Sequence, residues 1–409
     1  MELTHRVKRM SGRDPHEAHR AATPLELLFD LTFVVAFSQA ASQAAHYFEL
    51  GHVWTALIGF SIAVFAVTWA WINFSWLSSA YDTDDVPFRV ATFVQMIGVI
   101  IVALSLPPFF HSLEEGEHVD NSVMVAGYVL MRLVTVALWL RAAAHDPDHR
   151  TTCLTYAAGV GIVQVGWVVV IFVNPPIWVA LLLMVGLVVC ELLVPWIAEG
   201  RARTPWHAHH IAERYSLLVI ITLGEVIVGT VTAVSAAVEE HGWSLQAVAV
   251  AAAGTLLAFG MWWAYFIVPW ARILHRHRDR AFAFGYLHIP LFGAIAAVGA
   301  GLHVAALRIS GEAHVDDTFA LLTVALPTVV FVVMLAVLYD ALVRRVDGLH
   351  LRMFVGAVVV VGVAVVVSLA GAGLGVTLLI TSLAPLVVVV GYEAGGHRKA
   401  AADLVRLDA

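Results

Sequence analysis

The chain has 409 residues, of which 60% are apolar and 13% charged, and its mean hydropathy is +0.85. Soluble domains carry about 25% charged residues, so this composition excludes an ordinary water-soluble protein and leaves a polytopic membrane protein. The formal charge of -7 comes from 30 acids and 23 bases. The bases are scattered over many short loops, which gives nucleic-acid binding no support. Cys153 and Cys190 both lie in apolar stretches, so neither a disulfide framework nor a cysteine metal site is expected.

The first 23 residues are basic and lack a short apolar core with a small-residue cleavage site, so a removable signal peptide is not expected. Residues 1-23 read instead as a cytoplasmic segment that sets topology and rests against anionic lipid. Apolar runs of about 20 residues, the length that crosses a bilayer, follow at 24-47, 53-78, 89-110, 122-142, 152-174 and 176-196. A linker at 197-210 leads to six more, at 211-237, 243-268, 282-307, 316-341, 351-370 and 373-392, and a tail at 393-409 closes the chain. The tightest breaks are Asn174-Pro175-Pro176 and the glycine-rich 371-375 stretch. The expected fold is all-α, a polytopic membrane bundle of about twelve transmembrane helices.

Twelve spans with an internal N-terminus place 21 of the 23 bases inside, leaving Arg308 outside and Arg132 within a span. Acids such as Glu114, Glu115, Glu117, Asp120, Glu239 and Glu240 fall outside. This segregation follows the positive-inside tendency and predicts that both termini are cytoplasmic. The halves overlay with an offset near 190 residues: the stretch from Phe29 to Gln39 parallels that from Tyr215 to Glu225, and Trp69-Ala70-Trp71 parallels Trp263-Ala264-Tyr265. A 6+6 duplication follows, with segments 24-196 and 211-392 as parallel repeats. An even number of helices per repeat preserves orientation, and such interfaces commonly carry a transporter's substrate site.

Ionised side chains in hydrocarbon are costly and normally face a protein interior, a partner or a water-filled cavity. Glu26 and Asp30 are four apart and share one face of the first helix, behind Thr23, suited to N-capping, and Pro24. Glu26 reads equally as an acid satisfying the first helical turn, whereas Asp30 is deeper. Two carboxylates on one face also make a proton-binding pair. Arg132, near the middle of the fourth span, is expected to pair with Glu225, Asp30 or another buried carboxylate, either as a packing salt bridge or as an anion-recognition group.

The second half opens on His207, His209 and His210, with Glu213 and Arg214 beyond, and runs through Leu223-Gly224-Glu225. Glu213 and Glu225 are separated by about 18 Å along a helix, so Glu213 is set at the cytoplasmic mouth and Glu225 near mid-membrane. Gly224 is expected to permit close approach by a neighbouring helix or room for an ion. His210, Glu213 and Arg214 read as a cytoplasmic gate, and the histidines alternatively as surface hydrogen-bonding groups. No zinc-peptidase sequence is present, and neither a metal nor a cofactor is expected. Gln39, Gln95 and His288 are candidate cavity-lining residues, while Glu191 and Asp340 read as helix-end acids facing solvent or loop arginines. The tryptophans, Trp69 and Trp71 among them, read chiefly as packing and interface anchors.

Thr23-Pro24-Leu25-Glu26-Leu27-Leu28-Phe29-Asp30-Leu31-Thr32-Phe33-Val34 resembles the N-terminal signature of the bacterial low temperature requirement A (LtrA) family, and the stretch from His210 through Glu225 resembles its second signature. The resemblance implies a multispanning bacterial inner-membrane protein, and its family-like polar residues here are Glu26, Asp30, His210, Glu213, Arg214 and Glu225. It implies no reaction or substrate. From the residues, the leading expectation is proton-coupled secondary transport of a small solute among membrane lipids, with Glu225 as the ion-coupling site, Asp30 and Glu26 as an inward acidic path, and Arg132 as charge compensation. A membrane enzyme acting on a lipid or quinone-like substrate, or a lipid-binding regulatory protein, are the alternatives.

Overall fold

The fold was analysed in a computed structural model, which describes residues 7-15, 17, 20-200, 202-344 and 348-399. The expectations for the extreme N-terminus, for Arg201 in the linker, for Arg345 and for the tail from 400 onward lie outside the described residues. Twelve helical segments are long and apolar enough to cross a membrane, and no strand occurs among the described residues. In chain order they are α1 Pro24–Glu49, α2 Val53–Tyr81, α3 Val86–Glu115, α4 Ser122–His145, α5 Arg150–Val173, α6 Ile177–Glu199 and α7 Ala208–His241. There follow α8 Leu245–Phe266, continued by the short α9 Trp270–Arg276, then α10 Ala281–Ile309, α11 Asp317–Val343 and α12 Gly348–Leu369. The last crossing is broken into α13 Leu374–Thr381 and α14 Ala384–Gly391.

Local chemistry explains these limits. The start of α1 is a reciprocal capping box: the Glu26 amide donates to Thr23 Oγ1 at 3.2 Å and the Thr23 amide to Glu26 Oε2 at 2.8 Å. Asp85, Ser244 and Asp316 cap α3, α8 and α11 by accepting from the amide three residues on. Asn174 ends α5 in the left-handed region at φ 42°, and the two prolines behind it prevent continuation, so α5 and α6 are divided where the sequence requires. Gly371, at φ 89°, divides α12 from α13 in the same way. Pro385, in the first turn of α14, supplies the break inside the last crossing.

The chain resolves into two compact units, one of Met1–Gln39 with Ala66–Arg214, the other of Ala40–Phe65 with Tyr215–Ala409. Large apolar side chains on the outside of both, such as Leu104, Phe172 and Trp178 in the first and Leu245 and Leu369 in the second, are exposed and form the faces that meet lipid.

In the first unit the described part of the N-terminal segment does more than provide surface charge. It crosses the end at which α1 begins: Met10 is fully buried, the Arg13 amide donates to Ala80 O at 3.1 Å, and the Lys8 amide donates to Asp85 Oδ2 at 2.8 Å. Burial alone would raise the Asp85 carboxyl, but the Arg141 guanidinium and the amides of Lys8 and Phe88 hold it well below the usual carboxylate range. Three residues earlier Asp82 lacks that density of donors. Burial, reinforced by the charge of Glu26, pushes its carboxyl up to about 6.

Candidate functional site

Three helix ends of the first unit build one buried ionic assembly. The first two turns of α1 present Glu26 and Asp30 on one face, the last turns of α2 present Trp71, Ser75 and Ser78 at helical spacing, and the start of α7 presents His210 and Arg214 four residues apart. Glu26 accepts from Ser78 Oγ at 2.7 Å and His210 Nε2 at 3.2 Å, and Arg214 Nη1 stands 3.5 Å away. Asp30 Oδ1 accepts from Trp71 Nε1 at 2.7 Å and Arg214 Nη2 at 2.6 Å. The guanidinium also reaches Ser75 Oγ at 3.2 Å and lies 5.5 Å above the Trp71 ring. Glu26, His210 and Arg214 are fully enclosed, and Asp30 is 1% exposed.

The assembly is tight but incompletely satisfied. Asp30 Oδ2, His210 Nδ1 and Arg214 Nε have no hydrogen-bond partner. Glu26 and Asp30 bring two negative charges against the single positive charge of Arg214. Arg20 and Asp82 lie within electrostatic reach of Glu26 and offset one another. With a neutral His210 and an ionised Asp82 the set therefore carries one negative charge in excess, which one bound proton closes. The ring offers a place for it: Nε2 already donates to Glu26, so the Nδ1 lone pair is open.

A second ion pair lies deeper in the same unit. Arg132 on α4 and Glu191 on α6 are each 2% exposed and 3.3 Å apart. Arg132 Nη2 also donates to Tyr128 OH at 2.7 Å, and Trp69 Nε1 donates to Glu191 Oε2 at 2.9 Å. The partner of Arg132 is thus neither Glu225 nor Asp30. Glu191, expected at a solvent-facing helix end, is its buried counterion because α6 turns that face toward α2 and α4. Trp69 and Trp71, expected chiefly as packing or interface residues, are enclosed indole donors to the two acids.

In the second unit Glu225 is 3% exposed and accepts from His303 Nε2 on α10 at 3.1 Å. A close helix crossing does occur beside it, but not through Gly224, around which a side chain would meet nothing within 4 Å. The approach is made by Gly229 and Gly299: a Cβ on Gly299 would stand 2.7 Å from Glu225 Cγ, and one on Gly229 would stand 2.6 Å from Gly299 O. Gly224 and Glu225 are neighbours in sequence, so the helix turns them about 100° apart, and only the acid faces α10.

The remaining candidates occupy varied surroundings. His288 is fully buried, donates from Nδ1 to Phe284 O at 2.7 Å and accepts at Nε2 from Tyr265 OH at 2.9 Å, among the rings of Tyr215, Phe284 and Phe292. Gln95 is buried on α3, Gln39 is half-buried on α1 and Glu213 is half-buried on α7. Among the described residues no group of three or more histidines, cysteines and acids is placed to hold a metal ion. His303 was not singled out in the sequence, and Glu191 was placed at a helix end rather than in a buried ion pair. A nearly polarity-free helix marks Glu191 only as an oddity, and His303 is one of 20 histidines.

Twelve apolar crossings with buried, ion-paired acids define a multi-pass integral membrane protein. The sequence profile described as bacterial low temperature requirement A protein (LtrA) matches residues 21–388, and the chain belongs to that family. It is also similar to a Rhizobium meliloti (strain 1021) protein described as uncharacterized, at 29% identity over 293 residues, covering 68% of this chain and 67% of the other. No solved structure matches the chain. The two stretches that carried the family resemblance are those joined in the Glu26–Asp30–His210–Arg214 assembly, although 184 residues separate Asp30 from Arg214.

Proposed function

We propose that this protein is a proton-coupled secondary transporter of a small solute in the bacterial cytoplasmic membrane, with both termini on the cytoplasmic side. The observation that carries the reading is the charge balance of the first-unit assembly: two enclosed carboxylates share one arginine and a histidine with an open ring nitrogen. A group of this kind closes its charge by taking one proton. Because its parts come from three helix ends, a gain or loss of that proton changes how α1, α2 and α7 hold one another.

Here Glu26, Asp30, His210 and Arg214 form the coupling centre, and Glu225 with His303 forms a second ionisable pair in the other unit. Arg132 keeps the role of charge compensation, toward Glu191. In this reading the 6+6 duplication makes α1 and α7 counterparts, which accounts for both contributing ionisable residues. The chain has no nucleotide-binding motif, which leaves an ion gradient as the simplest source of energy.

Proteoliposomes with a trapped pH dye, an imposed proton gradient and a panel of small solutes test the proposal. Wild type is expected to move protons with one class of solute. Glu26→Gln and His210→Gln are expected to remain inserted and monodisperse while losing at least tenfold of that coupled flux. Solute flux indifferent to the gradient, or coupled flux unchanged in both variants, overturns the proposal. Glu225→Gln, measured beside them, is expected to reduce flux and shift its pH dependence.

A further inference from the structure

We infer that the turns joining α3 to α4 and α5 to α6 form a binding site for a linear alkyl diamine in its dicationic form. Each crossing reverses the chain, so both turns lie at the membrane face opposite to the start of α1, the external face in the proposed topology. Binding there does not depend on transport.

The two turns line a cavity of about 400 Å³, a size at which small-molecule sites are found. Hydrogen bonds between the turns fix its frame: the Ile177 amide donates to Glu117 O at 2.9 Å, and His118 Nδ1 to Pro175 O at 3.1 Å. The Asp120 amide donates to Ser112 Oγ at 2.9 Å, while Gly116, at φ 75°, turns the chain out of α3. A rim held in this way is ordered before any ligand arrives, which lowers the entropic cost of binding.

Charge selects the sign of the ligand. Glu115, Glu117 and Asp120 line the cavity, and no lysine or arginine does. His111 stands 3.5 Å from Glu115, whereas no ion pair among the described residues includes Glu117 or Asp120. Acids on an exposed turn are by themselves only a solvated surface. Asn121 sets this turn apart. It is 5% exposed and lines the cavity, its side chain makes no cap to α4, and its nitrogen reaches Met184 Sδ at 3.9 Å. The carbonyl oxygen of Asn121 has no partner among the described residues and is left as an acceptor toward the cavity. His118 supplies a second neutral acceptor: Nδ1 carries its hydrogen toward Pro175 O, so Nε2 of the neutral ring is open.

The spread of these groups selects the ligand's shape. Among the described residues no three histidines, cysteines or acids converge closely enough to hold one metal ion. A ligand whose positive charges are themselves separated can meet the carboxylates one at a time. The open acceptors on Asn121 and His118 call for N–H donors, which a quaternary ammonium lacks. Val170, Ile171 and Ala180 give the wall an apolar stretch, against which methylene groups leave water favourably. Two primary ammonium groups joined by a short methylene chain meet all of these requirements.

Isothermal titration of the full-length protein in a neutral detergent tests this without any gradient. The probes are 1,4-diaminobutane, n-butylamine and magnesium chloride, compared at one ionic strength. The diamine is expected to bind saturably and at least tenfold more tightly than either of the others. Glu117→Gln and Asp120→Asn are each expected to weaken it at least tenfold while leaving the Tm of the unliganded protein unchanged, since neither acid is ion-paired and asparagine keeps the acceptor for Ser122. Asn121→Ala is expected to weaken it at least threefold. No saturable diamine binding, n-butylamine or magnesium binding within tenfold of the diamine, or an affinity unchanged in both acid variants overturns the inference. Absence of gradient-coupled flux in proteoliposomes overturns the transport reading instead and leaves diamine binding standing.

Discussion

His210 and His288 are both completely enclosed, one in each unit, and they show that burial by itself does not make a histidine responsive. The ring of His288 is committed at both nitrogens. A carbonyl can only accept, so Nδ1 carries the hydrogen toward Phe284 O, and Nε2 receives the Tyr265 hydroxyl. Its surroundings are aromatic, and no ion pair among the described residues includes it. His210 has a carboxylate at Nε2, an arginine beyond that carboxylate, and nothing at Nδ1. One histidine is a packing element with a fixed tautomer, while the other touches a charge set of two acids and one arginine and keeps one ring nitrogen without a partner.

The largest expected effect falls on the arginine that holds the responsive set together. Arg214→Met leaves Glu26 and Asp30 enclosed without their shared cation, and a loss of about 3–5 kcal/mol is expected, read as a fall in Tm and in monodisperse yield. Combining it with Glu26→Gln and Asp30→Asn removes the stranded charges and is expected to restore most of that stability. If Arg214→Met is as stable as wild type, the assembly is not an ionic unit and its contrast with His288 disappears.

His288→Leu comes next. It removes the hydrogen bond that Tyr265 OH gives to the ring and leaves a differently shaped side chain among the aromatic neighbours, for a cost of about 1–3 kcal/mol. That cost is expected to be the same at every pH at which the protein remains folded, whereas the change of Trp fluorescence with pH, to which Trp71 beside Asp30 contributes, is expected to shrink in His210→Gln. A pH-dependent cost in His288→Leu would erase the distinction between the two rings.

Asp82, at the rim of the responsive assembly, gives a smaller effect of definite sign. Its carboxyl is raised to about 6 in the folded protein from an ordinary 3.8, so the fold favours the protonated form. The corresponding stability is present below pH 3.8 and is lost as pH rises through about 6, on the order of 1–3 kcal/mol. Asp82→Asn is expected to flatten the stability curve over that window in thermal unfolding at stepped pH. Asp85 runs the other way: its contribution is present above pH 3.8 and is lost as pH falls, so Asp85→Asn is expected to cost most near neutrality.

The smallest effect distinguishes the two glycine environments near Glu225. Gly224→Ala meets open space and is expected to gain up to about 1 kcal/mol from helix propensity. Gly299→Ala collides with Glu225 and its backbone and is expected to cost about 1–3 kcal/mol, with the His303 pairing displaced. Equal Tm values for the two variants would remove the close crossing as the feature that fixes Glu225.

The crossings were legible in the residues because their requirement is local: a bilayer asks for about 20 apolar residues whatever their neighbours. Helix ends were legible for the same reason, since the Thr23–Glu26 box and the Asn174-Pro175-Pro176 stop act within one turn. Glu26, Asp30, Arg132 and Glu225 stood out because charge is rare where lipid surrounds a helix. Their partners did not stand out. Arg132 had several acids to choose from, and the choice of Glu191 follows from which faces of α4 and α6 meet. Gly224 looked like the point of close approach because it adjoins Glu225, while the crossing uses Gly229 and Gly299.

From its sequence alone, this protein was bound to be a membrane-spanning helical chain with acids that need protein partners, because hydropathy and capping act through near neighbours along the chain. Tertiary structure alone decided that Glu26 and Asp30 meet His210 and Arg214, that Arg132 meets Glu191, and that Glu225 meets His303. The physical reason is that an ion pair depends on a few ångströms between side chains from distant segments. Helix rotation and register set that distance, and neither is encoded by apolarity.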